Sequence, residues 1–326
     1  MKVRLKSLLI ILGLLFALIV LQGCIEPYPV DMRQTLTVVV SEFVPTATGL
    51  AETIGRTTPQ PGDTLINPGG TVLPSELSGG SPFYAVILVS ADNVLNVRAE
   101  PGIDQPILAM LEPDARDLKI TGNRKTIGED EWVEIEQSSE ENGWVSSTFL
   151  TQQVPKEAFC SNSKIRTLMR DVVTALQERD NAAFARLVNP ERGLLVRQEW
   201  WNNELLFAPA QIETLFSSDE SYDWGTGAAS GEPVQGSFKK IVLPELTDVV
   251  DGEYSQACNT LDYGIGSGPT TAQVVWPFEY SNLNYVALFR PGAAGAEQDW
   301  RTWAVGVEII DGQPYVTVLI QYHWEG

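Results

Sequence analysis

The chain is poor in the side chains on which most enzyme chemistry is built. Its 326 residues include one histidine, His323, three cysteines, Cys24, Cys160 and Cys258, and 22 basic against 42 acidic residues. One histidine excludes zinc sites assembled from several imidazoles. It also leaves a cysteine peptidase without a base, because His323 lies on a predicted terminal strand and neither Cys160 nor Cys258 stands in a nucleophile motif. A formal charge of −20 excludes binding to nucleic acid or to an anionic wall polymer, which needs a basic surface to displace counterions. No Asp-rich loop has calcium-ligand spacing with a closing Glu, so neither a metal nor another cofactor is expected. Long apolar runs are also lacking. The clearest, Leu8 to Leu21, falls short of the ~20 residues a spanning helix needs. At ~150 residues per domain the length suits two domains, or two plus a tether.

The N-terminus carries the compartment signal. Lys2, Arg4 and Lys6 precede the apolar run, and Gln22, Gly23 and Cys24 follow it. That order describes a secretory signal over residues 1–23, an uncleaved signal anchor being the alternative. Leu21-Gln22-Gly23-Cys24 resembles the lipobox of bacterial lipoproteins. The resemblance implies acylation of Cys24, which becomes the mature N-terminus on the extracytoplasmic face of the membrane. Two or more chains at ~0.8 kcal/mol per buried methylene make a stable anchor. Loss of residues 1–23 removes three positive charges and no negative ones, so the mature chain would carry −23.

Residues 24–83 read as a tether: between 25 and 82, 28 of 58 positions are Pro, Gly, Thr or Ser. The patch Leu36 to Val40 interrupts it as a short strand or a sticky segment. From Phe83 the pattern turns to short apolar alternations divided by turn residues, among them Leu95/Val97, Leu118/Ile120 and Val133/Ile135, which predict a small closed or nearly closed β-barrel over 84–150. The blocks Leu95-Asn96-Val97-Arg98-Ala99-Glu100-Pro101-Gly102, Glu131-Trp132-Val133-Glu134-Ile135 and Gly143-Trp144-Val145-Ser146 through Leu150 resemble the bacterial type of Src-homology-three domain. The resemblance implies binding of cell-wall peptide or protein. Asp114 stands where that family usually has Gly, and Asp tolerates the left-handed backbone better than most residues.

In the remainder, Ser163 is placed to cap a helix with the stripe Ile165, Leu168, Met169, Val172 and Leu176, and Asp180 a second with Phe184 and Leu187. A third is expected around Pro209 to Phe216. Ser217 to Phe238 reads as loop, with turn signals continuing to Thr271. Asn284 to Arg290, Trp300 to Ile310 and Pro314 to His323 are strand-length runs, the last two joined by Asp311-Gly312, a type I′ hairpin signal. Trp303, Val305, Val307 and Ile309 should share one face of their strand, and Val316, Val318, Ile320 and Tyr322 one face of theirs. The expectation for 157–326 is an α+β domain with N-terminal helices on one face of a C-terminal antiparallel sheet, within a multi-domain chain. Leu187 to Gly193, Trp224-Gly225, Ser230 to Pro233 and Asp299-Trp300-Arg301 resemble C-terminal domains of uncharacterised bacterial envelope lipoproteins, which implies no particular activity.

Several side chains are candidates for function. Trp200, Trp201 and Trp224 sit in loop-like context beside Asn and Asp and form a candidate ligand surface, ordinary packing being the other reading. With Cys24 assigned to lipid, Cys160 and Cys258 remain as a candidate disulfide in an exported chain, against two buried thiols. No catalytic residue is assigned and the chain is not expected to be an enzyme. The resulting expectation is a lipid-anchored envelope protein with a binding or structural role. Its partners would be the membrane through Cys24 and a wall peptide, glycan or envelope protein. The alternative is a glycan hydrolase using a carboxylate pair drawn from Asp223, Glu232, Asp299 and Glu308.

Overall fold

The computed structural model describes residues 82–137, 141–227, 230–262 and 275–324. The signal, Cys24 and nearly all of the tether, with its Leu36 to Val40 patch, lie outside them. Among the described residues no helix is long and apolar enough to cross a membrane.

The fold is mostly β. Strands β1 (Phe83–Val86), β2 (Leu95–Arg98), β3 (Ile107–Leu111), β4 (Leu118–Ile127), β5 (Asp130–Ile135), β6 (Gly143–Ser146) and β7 (Leu150–Gln152) form one sheet in the order β3-β2-β6-β5-β4-β1-β7. Period-two alternation explains its inner face: Leu95 and Val97, Val133 and Ile135 point into a small core shared with Val86 and Val145. The left-handed residue after β3 is Asp117 (φ 59°) rather than Asp114.

The chain then enters a short helix that sequence alone did not suggest, α1 (Lys156–Ser161). Asn162, not Ser163, caps α2 (Ser163–Gln177), its side chain accepting from Lys164 N at 2.9 Å. The predicted stripe of α2 is buried throughout. Asp180 caps α3 (Asn181–Ala185) as expected, accepting from Ala183 N at 2.9 Å. Strands β8 (Leu194–Arg197) and β9 (Leu205–Phe207) and the short helix α4 (Pro209–Ile212) follow, the last reaching less far than Phe216.

The loop expected between Ser217 and Thr271 is corrected. It holds the hairpin β10 (Tyr222–Thr226) and β11 (Pro233–Gly236), helices α5 (Phe238–Ile241) and α6 (Leu243–Asp251), and strand β12 (Ser255–Cys258). Pro244 is compatible with α6 because it lies in the first turn, where its missing N–H would have no intrahelical partner anyway. Leu243, Leu246, Val249 and Val250 then bury one face.

A second, curled sheet has the order β12-β13-β14-β15-β8-β9, with β13 (Asn284–Arg290), β14 (Arg301–Ile310) and β15 (Gln313–His323). Asp311 (φ 50°) and Gly312 (φ 74°) make the predicted turn. Two expectations change here. The sheet is mixed, because β8 pairs parallel to β15; its Leu194, Leu195 and Val196 are all buried, as an interior strand covered on both faces requires. And the alternation along β15 breaks. Gly306 faces Val318 but Val307 faces Val316, so Thr317 is an extra residue, a β-bulge. One inserted residue exchanges the faces. Val316 therefore joins Trp303, Val305, Val307 and Ile309 under the helices, whereas Val318, Ile320 and Tyr322 enter a core on the opposite face. That second core includes Leu195, Tyr280, Leu283 and Trp300, and also Ile87 from the segment that follows β1.

Candidate functional site

The segment Asn189 to Gly193 joins the two sheets by a chain of local causes. The Asn189 side-chain oxygen accepts from the backbone N–H groups of Glu191 and Arg192, both at 2.9 Å, closing a tight turn. Gly193 completes it at φ +85°, where a Cβ would lie 2.1 Å from the Phe207 carbonyl oxygen, so only glycine fits. The turn aims Arg192 at Glu308, Nε to Oε2 2.9 Å, while Asn189 Nδ2 (2.8 Å) and Thr317 Oγ1 (3.0 Å) donate to the same carboxylate. Thr317 reaches it because it is the bulge residue. Arg192 also donates to the carbonyls of Thr148, in the turn between β6 and β7, and of Leu150, on β7. Glu308 is buried, so its charge is compensated only by these groups.

Beside this clamp, the two sheets enclose a cleft of about 560 Å³. The seven-stranded sheet contributes Asn96, Arg98, Asp130 and Trp132, the segment after β1 contributes Leu88, and the curled sheet and its loops contribute Arg197, Glu204 and Glu279. Leu88 holds φ +63°, unusual for a side chain of its size, at the point where the chain leaves β1; its N–H donates to the Glu279 carbonyl at 2.7 Å. Arg197, on β8, binds Glu204 through Nε at 3.0 Å and Glu279 through Nη2, and lies over the Tyr280 ring at 5.4 Å. The Tyr280 hydroxyl donates to Glu204. Burial opposes the charge on Arg197, but Glu204, Tyr280 and Glu279 outweigh it and raise its pKa further, so the guanidinium is a permanent cation. Burial, then Glu204, pushes the Tyr280 phenol up, which keeps it a neutral donor. The arrangement orients polar groups around a largely apolar wall. Both glutamates are already occupied by one guanidinium.

The sequence-derived candidates are dispersed. Trp224 leaves the proposed ligand surface: it is fully buried on β10, its indole N–H donates to the Gly236 carbonyl at 2.9 Å, and it packs beside Phe207 and Tyr222. Trp200 lies half-buried at the edge of the second core. Of the three, Trp201 alone keeps a large exposed face. Among Asp223, Glu232, Asp299 and Glu308, the first three are exposed and Glu308 is held in the clamp. Cys160 and Cys258 are joined, Cα to Cα 5.8 Å, linking α1 to the edge strand β12. No signal in the sequence marked Arg197, Glu204 and Glu279, because their association depends on which loop crosses which strand.

His323 pairs with the buried Glu199, Nε2 to Oε1 2.6 Å, and its Nδ1 lies 2.8 Å from the Trp324 carbonyl oxygen. Burial is the largest influence and lowers the imidazole pKa. The hydrogen bond and charge of Glu199 and the Trp324 carbonyl outweigh it, with Arg301 opposing, and the net shift is upward. A histidine raised in the fold contributes stability that is complete below its unfolded pKa of about 6.5 and is lost as pH rises through the folded value. Stability measured by urea unfolding should therefore fall across that interval above pH ~6.5. His323→Gln should remove this part of the profile; an unchanged profile would show that the pair does not control it.

Comparison with family models, curated proteins and solved structures found no match to the chain.

Proposed function

We propose that the chain is a lipid-anchored protein of the bacterial cell envelope. It is built of a Src-homology-three-like barrel followed by an α+β domain, and it binds a wall peptide, a glycan or another envelope protein without catalysing a reaction. The observation that carries the binding role is the cleft between the two sheets, lined by an apolar wall with Arg98, Asp130 and the Arg197–Glu204–Glu279 cluster at its margins. Apolar concavity with a few oriented polar groups is the usual build of a ligand site. Export is supported by the Cys160–Cys258 bridge, a bond that persists in non-reducing compartments. A binding role is favoured over hydrolysis because Glu308 is tied up by Arg192, and Glu204 and Glu279 by Arg197.

Anchoring is tested by metabolic labelling with a fatty acid. Cys24→Ser should abolish incorporation and release the protein from the membrane fraction; undiminished labelling would overturn the lipoprotein assignment. Ligand binding is tested by titrating the full chain in mild detergent with soluble wall fragments that carry stem peptide and disaccharide. Asn96→Ala with Asp130→Ala, both in the cleft, should weaken binding at least about tenfold. Equal affinity in wild type and variant would move the site elsewhere.

A further inference from the structure

The edge of the seven-stranded sheet carries a second interaction surface, adjoining the cleft and sharing Ile103 with it. Strand β3 ends that sheet and, among the described residues, pairs only with β2, so its outer edge presents backbone N–H and C=O groups to a partner. Edge strands are ordinarily guarded by lysine, proline or an inward-pointing charge. Ile107-Leu108-Ala109-Met110-Leu111 has none of these. A bulge does occur, since Val97 faces Ala109 and Arg98 faces Ile107, which leaves Leu108 as the extra residue. Regular pairing geometry therefore begins at Ala109. Ile107 is 51% exposed, Met110 65% and the preceding turn residue Ile103 71%, and Leu108 is exposed as well. Single exposed apolar residues are commonplace. Four within eight positions, along an unpaired edge, form a patch.

Arg98 stands across from Ile107 on β2 and donates to the Gln105 carbonyl at 2.7 Å, and Arg116 turns to the Ser281 carbonyl; between them the charge along the chain has one sign. From Ala99 to Ala115 the chain has Glu100, Asp104, Glu112 and Asp114, all exposed, and neither lysine nor arginine. A second copy of the chain would set these carboxylates against their own like, within a molecule already at −20. We propose that β3 receives an extended segment of a partner protein in which apolar and basic residues alternate, adding a strand to the sheet. The ladder supplies main-chain hydrogen bonds, the apolar positions cover Ile107 and Met110, and the basic positions are drawn to the carboxylates that flank the strand at either end.

The test uses the full chain in mild detergent and a synthetic, acetylated heptapeptide alternating lysine and valine. Binding should protect the amides of 107–111 from hydrogen exchange. Ile107→Ser with Met110→Ser, both exposed and so expected to leave the fold intact, should weaken binding at least about tenfold. A heptapeptide alternating lysine and proline, with the same charge but without donors at every second position, should bind at least about tenfold more weakly as well. Should the double serine variant fail to fold, Ile107→Thr with Met110→Thr replaces it. Protection confined to other segments, equal binding of the proline peptide, or no binding of the valine peptide would each overturn the proposal. So would sedimentation showing a dimer that Ile107→Ser dissolves, because the edge would then belong to a second copy.

Discussion

Replacement of Arg192 by alanine should lower the free energy of unfolding by about 3–5 kcal/mol, the cost typical of removing one partner from a buried ion pair. Glu308 would retain only Asn189 Nδ2 and Thr317 Oγ1 as donors in a site almost closed to water. The same substitution frees the Thr148 and Leu150 carbonyls, so the loss should also loosen the contact between the two sheets. Thermal or urea unfolding of Arg192→Ala checks the magnitude. Hydrogen exchange at β7 checks the loosening. Arg192→Met combined with Glu308→Gln should recover most of the stability, because no unpaired charge remains. If the double variant were as unstable as Arg192→Ala alone, shape rather than charge would account for the clamp.

Removal of the Cys160–Cys258 bridge should have a comparable effect. It closes a loop of 98 residues, and for a loop of about 100 the chain-entropy model assigns ~4.7 kcal/mol to the constraint on the unfolded state. At roughly 2–4 °C per kcal/mol for a protein of this size, the melting temperature should drop by about 9–19 °C in reductant or in Cys160→Ser with Cys258→Ser. The whole described body should feel it, since Ile87, next to β1 of the first sheet, sits in the core of the second, and Asn284, on β13, donates to the Val154 carbonyl in the segment between them at 2.8 Å. Mass spectrometry of protein isolated without reductant should find no free thiol at either position. Free thiols at both, or a melting temperature indifferent to reductant, would refute the contribution.

How far the sequence could be read depended on the range of the interaction. Short-period signals were legible. The stripe of α2, the Asp180 cap, the Asp311-Gly312 turn and the alternation in β2 and β5 each lie within about fifteen residues, and each emerges where expected. The candidate site was not legible. Trp224 stands beside Asp and Gly, a loop-like neighbourhood, yet β10 folds it onto Phe207 and removes it from solvent. The residues that do line the cleft come from β2, β5, β8 and the segment around Glu279, and no spacing rule connects them.

From sequence alone follow the acidity, the helix stripes, the strand periods and the cysteines available to bridge, because each is a property of composition or of residues adjacent along the chain. Tertiary structure decided the rest. Thr317 shows why: whether a residue inside a strand counts as one step of the alternation or as a bulge depends on its partner across the ladder, here Gly306 and Val307, and not on its neighbours in the chain. That single insertion sends Val318, Ile320 and Tyr322 to the face that receives Ile87, and it brings the Thr317 hydroxyl to the carboxylate that Arg192 holds. Burial on both faces likewise placed β8 parallel to β15, which set Arg197 between two glutamates 7 and 82 residues further along the chain. Pairing across a sheet is a long-range choice made by the combined burial of all its members, and no local window contains it.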